Sequence, residues 1–346
     1  MAGVRARRHL PAPGEFNWRN LIGMEYTYLG RSGLKVSRLC LGTMNFGPQT
    51  ADKDAFAIMD AALDAGVNFF DTANVYGGQG QRGLTESIIG RWFAQGGGRR
   101  EKVVLATKVY GFMNDIMDGP NDESGLSAYK IKRAIDHSLK RLQTDHVELY
   151  QMHHVDTHTP WDEIWGAYEN MIAAGKVVYA GSSNFGARHL CYAQAAAERR
   201  HFLGLVSEQH KYSLTCRLPE LEVLPAAIDL GIGVIAWSPL DGGLLSDQSG
   251  SDRSQRALAG ATQEVRDQVA RLGELAHDLG IKPSVIALAW VLAQPGLTAP
   301  IIGPRTIEQF EDATQAAALT LEDATLQALD DIFPGPGRPA PEAYAW

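Results

Sequence analysis

From Leu34 onward the chain repeats one alternation eight times, a short apolar run followed by a longer stretch with helical periodicity. The runs are SRLCLGT (37–43), NFFDTA (68–73), KVVLATKV (102–109), HVELYQMH (146–153), VVYAGSSN (177–184), VSEQHKY (206–212), GVIAWSPL (233–240) and TAPIIGP (298–304). Most are rich in Val, Ile, Leu or Phe and apolar nearly throughout, as strands covered on both faces must be. Between them, DKDAFAIMDAALDAG carries Phe56, Met59 and Leu63 on one face, with Gly66 placed to end a helix. SAYKIKRAIDHSLKRLQ has Ser127 as N-cap and Ile131, Ile135, Leu139 and Leu142 as its apolar stripe. WDEIWGAYENMIAAGK repeats the plan, with Gly175 near its end.

Strand–helix alternation implies a parallel sheet, and eight units within 346 residues imply a closed (β/α)8 barrel, the TIM-barrel class of α/β fold. YTYLGRSGLKVSRL, ahead of the first barrel strand, reads as a β-hairpin turning at Gly30–Gly33 that plugs the barrel floor. Extra C-terminal helices are expected at KPSVIALAWVLAQ and EDATLQALDDIF, either side of the eighth strand. Asp241 to Ala261 is polar and glycine-rich and is expected to be a mobile loop. Residues 1–23 are read as a poorly ordered extension and 24–346 as one barrel domain.

A formal charge of −8 argues against nucleic-acid or anionic-membrane partners, which call for basic surfaces. Cys40, Cys191 and Cys216 are odd in number, far apart and outside any CxxC, which fits a reducing cytoplasm better than a disulfide framework or a zinc ribbon. The longest apolar run, Val285 to Ala293, is too short to cross a bilayer, and the arginine-bearing N-terminus lacks the apolar core of a secretory signal.

In this fold active sites gather at the C-terminal ends of the strands. Strand two ends in Asp71, with Tyr76 just beyond; strand three ends in Thr107–Lys108, strand four in His153–His154 and strand five in Ser182–Ser183–Asn184. Strand six carries Glu208–Gln209–His210, strand seven gives Trp237–Ser238, and Gly303–Pro304–Arg305 follow strand eight. Taken singly, Asp71 is a loop cap, Lys108 a side chain reaching solvent, Tyr76 packing and His153 a local hydrogen-bond partner. As a set on one rim they make sense as proton donation to a carbonyl. A free phenol near pKa 10 is a sluggish acid. A lysine ammonium beside it lowers that value, a buried carboxylate keeps the lysine charged, and an imidazole orients the substrate oxygen.

Two other patterns compete. Gly78-Gln79-Gly80-Gln81-Arg82-Gly83 fits G-x-G-x-x-G, but Asn74 to Gly77 separate it from its strand, whereas a dinucleotide fingerprint follows its strand directly. His153, His154, Asp156 and His158 could supply metal ligands, yet only His153 ends a strand, and no metal is expected.

The motifs FFDTANVYG, LATKV, YQMHH, GSSNF, AWSPL and IIGPRTIEQFEDA, in this order between Met24 and Phe333, resemble the aldo-keto reductases. The resemblance is to the branch that includes potassium-channel β-subunits and many bacterial reductases. It implies a (β/α)8 barrel binding NADPH in extended form, with a catalytic tetrad of Asp71, Tyr76, Lys108 and His153 and Tyr76 as the general acid. It further implies Ser183, Asn184 and Gln209 at the nicotinamide carboxamide, Trp237 under the ring, Ser238 and Leu240 at the pyrophosphate, and Gly42 and Thr43 near the ribose. Gly303, Arg305 and Gln309 match the adenosine end, where a fixed guanidinium favours NADPH over NADH. Glu311-Asp312-Ala313 stands where many relatives end in Asn, leaving Asp312 as the adenine contact; Asp241 replaces a common glycine and puts an acid beside the pyrophosphate path.

The activity implied is NADPH-dependent reduction of an aldehyde or ketone, with no nucleic-acid or membrane partner. Reduction of an activated C=C bond, for instance in a nucleotide-linked deoxysugar, and a regulatory subunit sensing NADPH are the alternatives. Retained His153 favours C=O over C=C. Met44, Tyr110, His154 and the tail PGPGRPAPEAYAW are expected to wall the substrate pocket.

Overall fold

A computed structural model describes residues 23–78, 80–113, 119–247 and 252–340; the N-terminal extension and the last residues of the tail lie outside this range. Eight parallel strands close into a barrel: β3 (Cys40–Gly42), β4 (Phe69–Asp71), β5 (Val104–Val109), β6 (Val147–Met152), β7 (Val177–Ser183), β8 (Leu205–Lys211), β9 (Gly233–Trp237) and β10 (Leu297–Ile302) follow in sequence order, and β10 pairs back onto β3. Each coincides with one of the eight apolar runs. Before them, β1 (Tyr26–Tyr28) and β2 (Lys35–Ser37) form the expected antiparallel hairpin. Its Leu29 and Val36 are fully buried against Cys40, Phe69, Ala106, Leu149, Val206, Ile235 and Ala299, so the hairpin plugs the barrel from below. Gly30 makes that approach possible: its φ is +54°, and a Cβ there would lie 2.4 Å from the carbonyl oxygen of Val206.

The helices are α1 (Asp52–Asp64), α2 (Leu84–Phe93), α3 (Ala128–Leu142), α4 (Trp161–Ala173), α5 (Ala187–Arg199), α6 (Val223–Asp229), α7 (Asp252–Ala259), α8 (Gln263–Leu279), α9 (Pro283–Ala293), α10 (Ile307–Ala318) and α11 (Asp323–Ile332). In α3 the stripe Ile131, Ile135, Leu139 and Leu142 is buried, each side chain stabilising by roughly 1.5–3 kcal/mol. Ser127 caps it, accepting from the Lys130 amide at 3.2 Å. In α1 the inward face is Ala55, Ile58, Met59 and Ala62; Phe56 and Leu63 flank it half-buried, because the helix lies close enough for alanines to make the contact.

The segment expected to be a mobile loop contains α7. Its Ala257 and Leu258 pack on the core and Ser254 is fully buried against Gly243, so the helix is held by its contacts despite a polar sequence. Helices α9 and α11 occupy the two expected extra positions, and α8 lies between the α7 segment and α9. No single helix among the described residues is long and apolar enough to cross a membrane.

Candidate active site

Register sets the chemistry. Asp71 at the end of β4 pairs with Ala106, so Lys108 stands two residues further up β5 with its side chain fully buried. Its ammonium places all three donors: Asp71 Oδ1 at 2.5 Å, the Thr72 carbonyl at 2.9 Å and Tyr76 Oη at 3.1 Å. Asp71 Oδ2 accepts from Gln151 Nε2 at 2.9 Å and Gln209 Nε2 at 2.8 Å. Tyr76 is fixed from behind. Its carbonyl accepts from the Gly83 amide at 3.0 Å, where α2 begins, and Gly77 has φ +139° with room for no side chain beneath Gln81. Fully buried Glu86 on α2 accepts from Thr107 Oγ1 at 2.6 Å and Arg141 Nε at 2.7 Å, fastening that helix to the residue beside Lys108.

Burial alone would pull the Lys108 pKa down, but the charge of Asp71 and the contact with Tyr76 outweigh it and the net shift is upward. For Tyr76 the expected lowering is overturned. Burial raises the phenol above its ordinary value, and the pull of the Lys108 charge and hydrogen bond does not cancel it. Tyr76 therefore holds its proton throughout the neutral range. The edge of its ring meets His153, centroids 6.0 Å apart. Burial, followed by the Lys108 charge, drives His153 down to about 2, so its imidazole is neutral at working pH. His154 stacks on it at 5.2 Å, and Tyr110 packs edge-on to His154 at 5.3 Å.

Asp71, Tyr76 and His153 open onto one cavity of about 780 Å³, in the upper range for small-molecule sites. Every residue expected around a cofactor lines it: Gly42, Thr43, Ser183, Asn184, Gln209, Trp237, Ser238, Leu240, Gly303, Arg305, Gln309 and Asp312. Met44 and His154 line it too. Lys108 lies behind Tyr76, and Tyr110, expected in the pocket wall, does not line the cavity but packs against His154, which does. The described part of the tail, to Ala340, turns away: Gly335 lies against Arg217 and the Ala340 amide donates to the Leu221 carbonyl.

Two non-glycine residues in the cavity wall are left-handed, Asn184 (φ +61°) and Ser238 (φ +52°), a strain typical of functional sites. Asn184 links strands: its Oδ1 accepts from Trp237 Nε1 at 3.1 Å, and its Nδ2 donates to the His153 carbonyl at 3.1 Å and Ser183 Oγ at 3.0 Å. Beneath this loop, fully buried Glu208 accepts from Ser182 Oγ at 2.5 Å and the Phe185 amide at 2.9 Å. Burial pushes its carboxyl up to about 8 against the pull of those hydrogen bonds.

At the far end the Arg305 guanidinium has no protein partner among the described residues, while its backbone amide donates to Gln309 Oε1 at 2.9 Å. Asp312 is held by Lys282 Nζ at 2.7 Å, and Lys282 lines the cavity. Asp241 is neutralised by Lys211 at 2.8 Å and accepts from Thr215 Oγ1 at 2.8 Å, so it is not the bare acid expected there from the sequence.

Asn45, Lys282, Glu308 and Asp247 also line the cavity and were missed. None ends a strand: they lie in loops or helix starts, where reading strand termini does not look. Gln151 sits inside the quoted YQMHH motif, but only its contacts give it meaning. Of the competing patterns, Gly83 precedes α2 with φ +84°, yet its amide serves the Tyr76 carbonyl, and Gln79 lies outside the described residues. Asp156 is a loop cap, accepting from the amides of Leu126 and His158 at 2.7 and 2.8 Å. Among the described residues no cluster of His, Cys, Asp or Glu is placed to hold a metal.

A (β/α)8 barrel with this rim and one long cleft defines a class of barrel oxidoreductases. The chain belongs to the aldo/keto reductase family, whose model matches residues 38–333. It is similar to "Uncharacterized oxidoreductase YrpG" of Bacillus subtilis (62% identical, covering 93% of this chain and 100% of the relative). It is also similar to "Probable voltage-gated potassium channel subunit beta" of Arabidopsis thaliana (33%, covering 93% and 100%) and "Versiconal hemiacetal acetate reductase" of Aspergillus parasiticus (30%, covering 90% and 97%).

Proposed function

We propose that the protein is an NADPH-dependent reductase of small aldehydes or ketones with Tyr76 as the general acid. The observation that carries this reading is the 3.1 Å hydrogen bond from a fully buried, carboxylate-anchored Lys108 to Tyr76 at the wall of the cleft. The cleft fits the cofactor: it is large, Ser238 lines it in a left-handed turn, and Arg305, whose guanidinium has no protein partner among the described residues, lines it too. Ser183, Asn184 and Gln209 would hold the carboxamide, Trp237 the ring, Ser238 and Leu240 the pyrophosphate, and Gly42 and Thr43 the ribose. Arg305 would hold the adenosine 2′-phosphate, with Gly303 and Gln309 beside it and Asp312 at the adenine amino group.

When bound there, the cofactor would supply the hydride that the carbonyl carbon accepts. The rest is the work of side chains. Tyr76, protonated at neutral pH, gives its proton to the carbonyl oxygen, and Lys108 stabilises the phenolate left behind. Asp71 holds the lysine charged and in place. Neutral His153 is an N–H donor that orients the carbonyl, not a proton source. Its presence favours C=O over C=C reduction. Free Cys40, Cys191 and Cys216 support a cytosolic setting.

Steady oxidation of NADPH with a panel of aldehydes tests the reading, since a subunit that only sensed NADPH would bind it without turnover. Tyr76→Phe is expected to lower kcat by roughly 10²–10⁴-fold or more while keeping NADPH affinity. Full turnover by that variant would refute the assignment.

A further inference from the structure

The hydrogen-bond pattern around Asp71 has a member that the mechanism does not use. Gln151 is fully buried on β6, in register with Lys108 on β5 and Gly181 on β7. The neighbouring strand leaves it room: a Cβ at Gly181 would lie 3.1 Å from Gln151 Cγ and 2.5 Å from Ser207 Oγ. A buried amide needs partners, and Gln151 has two. Its Nε2 donates to Asp71 Oδ2 at 2.9 Å and its Oε1 accepts from Gln209 Nε2 at 3.2 Å.

Proton counting fixes the rest. Asp71 Oδ2 can only accept, so both glutamines must turn their NH2 groups to it. Gln209 gives one N–H to Asp71 at 2.8 Å and the other to Gln151. Its Nε2 is then fully committed, and the atom it has left for the cleft it lines is Oε1, an acceptor. Without Gln151, one Gln209 N–H is released and Asp71 loses a donor.

We propose that Gln151 is a positioning residue coupling the cofactor side of the site to its proton donor. Through Gln209 it sets an acceptor toward the carboxamide N–H; through Asp71 it keeps Oδ1 aimed at Lys108, and so at Tyr76. This rests on the function proposed above.

The test compares the wild type with Gln151→Leu and Gln151→Glu. It measures kcat, the pH profile, and the Kd for NADPH and for 2′-phospho-ADP-ribose, which lacks nicotinamide. Gln151→Leu is expected to lower kcat and weaken NADPH by roughly 10- to 100-fold each, the scale of a lost hydrogen bond to a charged group. Affinity for the nicotinamide-free fragment should not move. Gln151→Glu reproduces the network only while its carboxyl holds a proton to give to Asp71. Its activity should approach the wild type at acidic pH and decline as pH rises, at a lower pH than that at which the wild type loses the Tyr76 proton. The proposal is overturned if Gln151→Leu changes neither kcat nor NADPH affinity by more than about twofold, since that falls short of one such bond. It is equally overturned if the fragment weakens as much as NADPH, or if Gln151→Glu follows the wild-type pH profile. Should Gln151→Leu fail to fold, the near-isosteric Gln151→Glu decides. A wild type that oxidises no NADPH would sink the proposed function instead, and the NADPH-against-fragment comparison would still judge Gln151.

Discussion

Replacing Lys108 by Met separates what the buried ion pair does for the fold from what it does for catalysis. The pair is nearly dry, with side chains 0% and 3% exposed and 2.5 Å between Nζ and Oδ1. Removing the lysine strands the Asp71 carboxylate with Gln151 and Gln209 as its donors and leaves the Thr72 carbonyl without its partner. Breaking one side of a buried pair costs about 3–5 kcal/mol. Unfolding entropy near 2.1 cal/mol/K per residue converts this to a melting temperature lower by about 4–7 °C for a chain of this length. The second loss is the hydrogen bond to Tyr76, and with it the stabilisation of the phenolate, for which kcat should fall by about 10²–10⁴-fold. Thermal melts and steady-state NADPH oxidation on the single variant and on Asp71→Asn/Lys108→Met resolve the two. The double variant buries no unpaired charge, so it should regain most of the lost stability while remaining inactive. A single variant melting within about 1 °C of the wild type, well under the expected cost, would refute the reasoning. So would a double variant no more stable than the single.

Two further outcomes follow from the far end of the cleft and from beneath its floor. Arg305→Ala should raise the KM for NADPH by at least about tenfold and leave that for NADH nearly unchanged, because a charge-assisted bond to the 2′-phosphate is worth about 1.5–3 kcal/mol; equal losses for both cofactors would contradict it. Glu208, whose folded value of about 8 lies above its ordinary 4.5, lends stability that is fully present below the ordinary value and is lost as pH rises through 8. Glu208→Gln does not titrate, so melts from pH 5 to 9 should show the wild type losing ground to the variant up to about pH 8, and a constant gap would argue against the burial effect.

The barrel was legible because its cause is local and periodic. Every apolar run became a strand, since a parallel strand buried on both faces has no other composition to use. The rim was legible for a related reason: Asp71, Lys108 and His153 interrupt apolar runs at their C-terminal ends, where packing gives a charged or polar group nothing. Helix α7 was not legible, because Ala257 and Leu258 acquire a partner only once the barrel places the core beside them, and Ser254 is buried against Gly243. The direction of the Tyr76 shift is not legible in the sequence for the same kind of reason. Spacing shows that a lysine will lie near the phenol, but not how much water the surrounding protein removes, and desolvation is the larger effect here. Its consequence is mechanistic. In the proposed mechanism, a phenol whose proton is held more firmly than usual would be loaded before every turnover, and Lys108 would matter less for making Tyr76 acidic in the resting site than for stabilising the phenolate once the proton has gone. The proposed acid would thus be tuned where the charge develops, which is where an interaction accelerates a reaction.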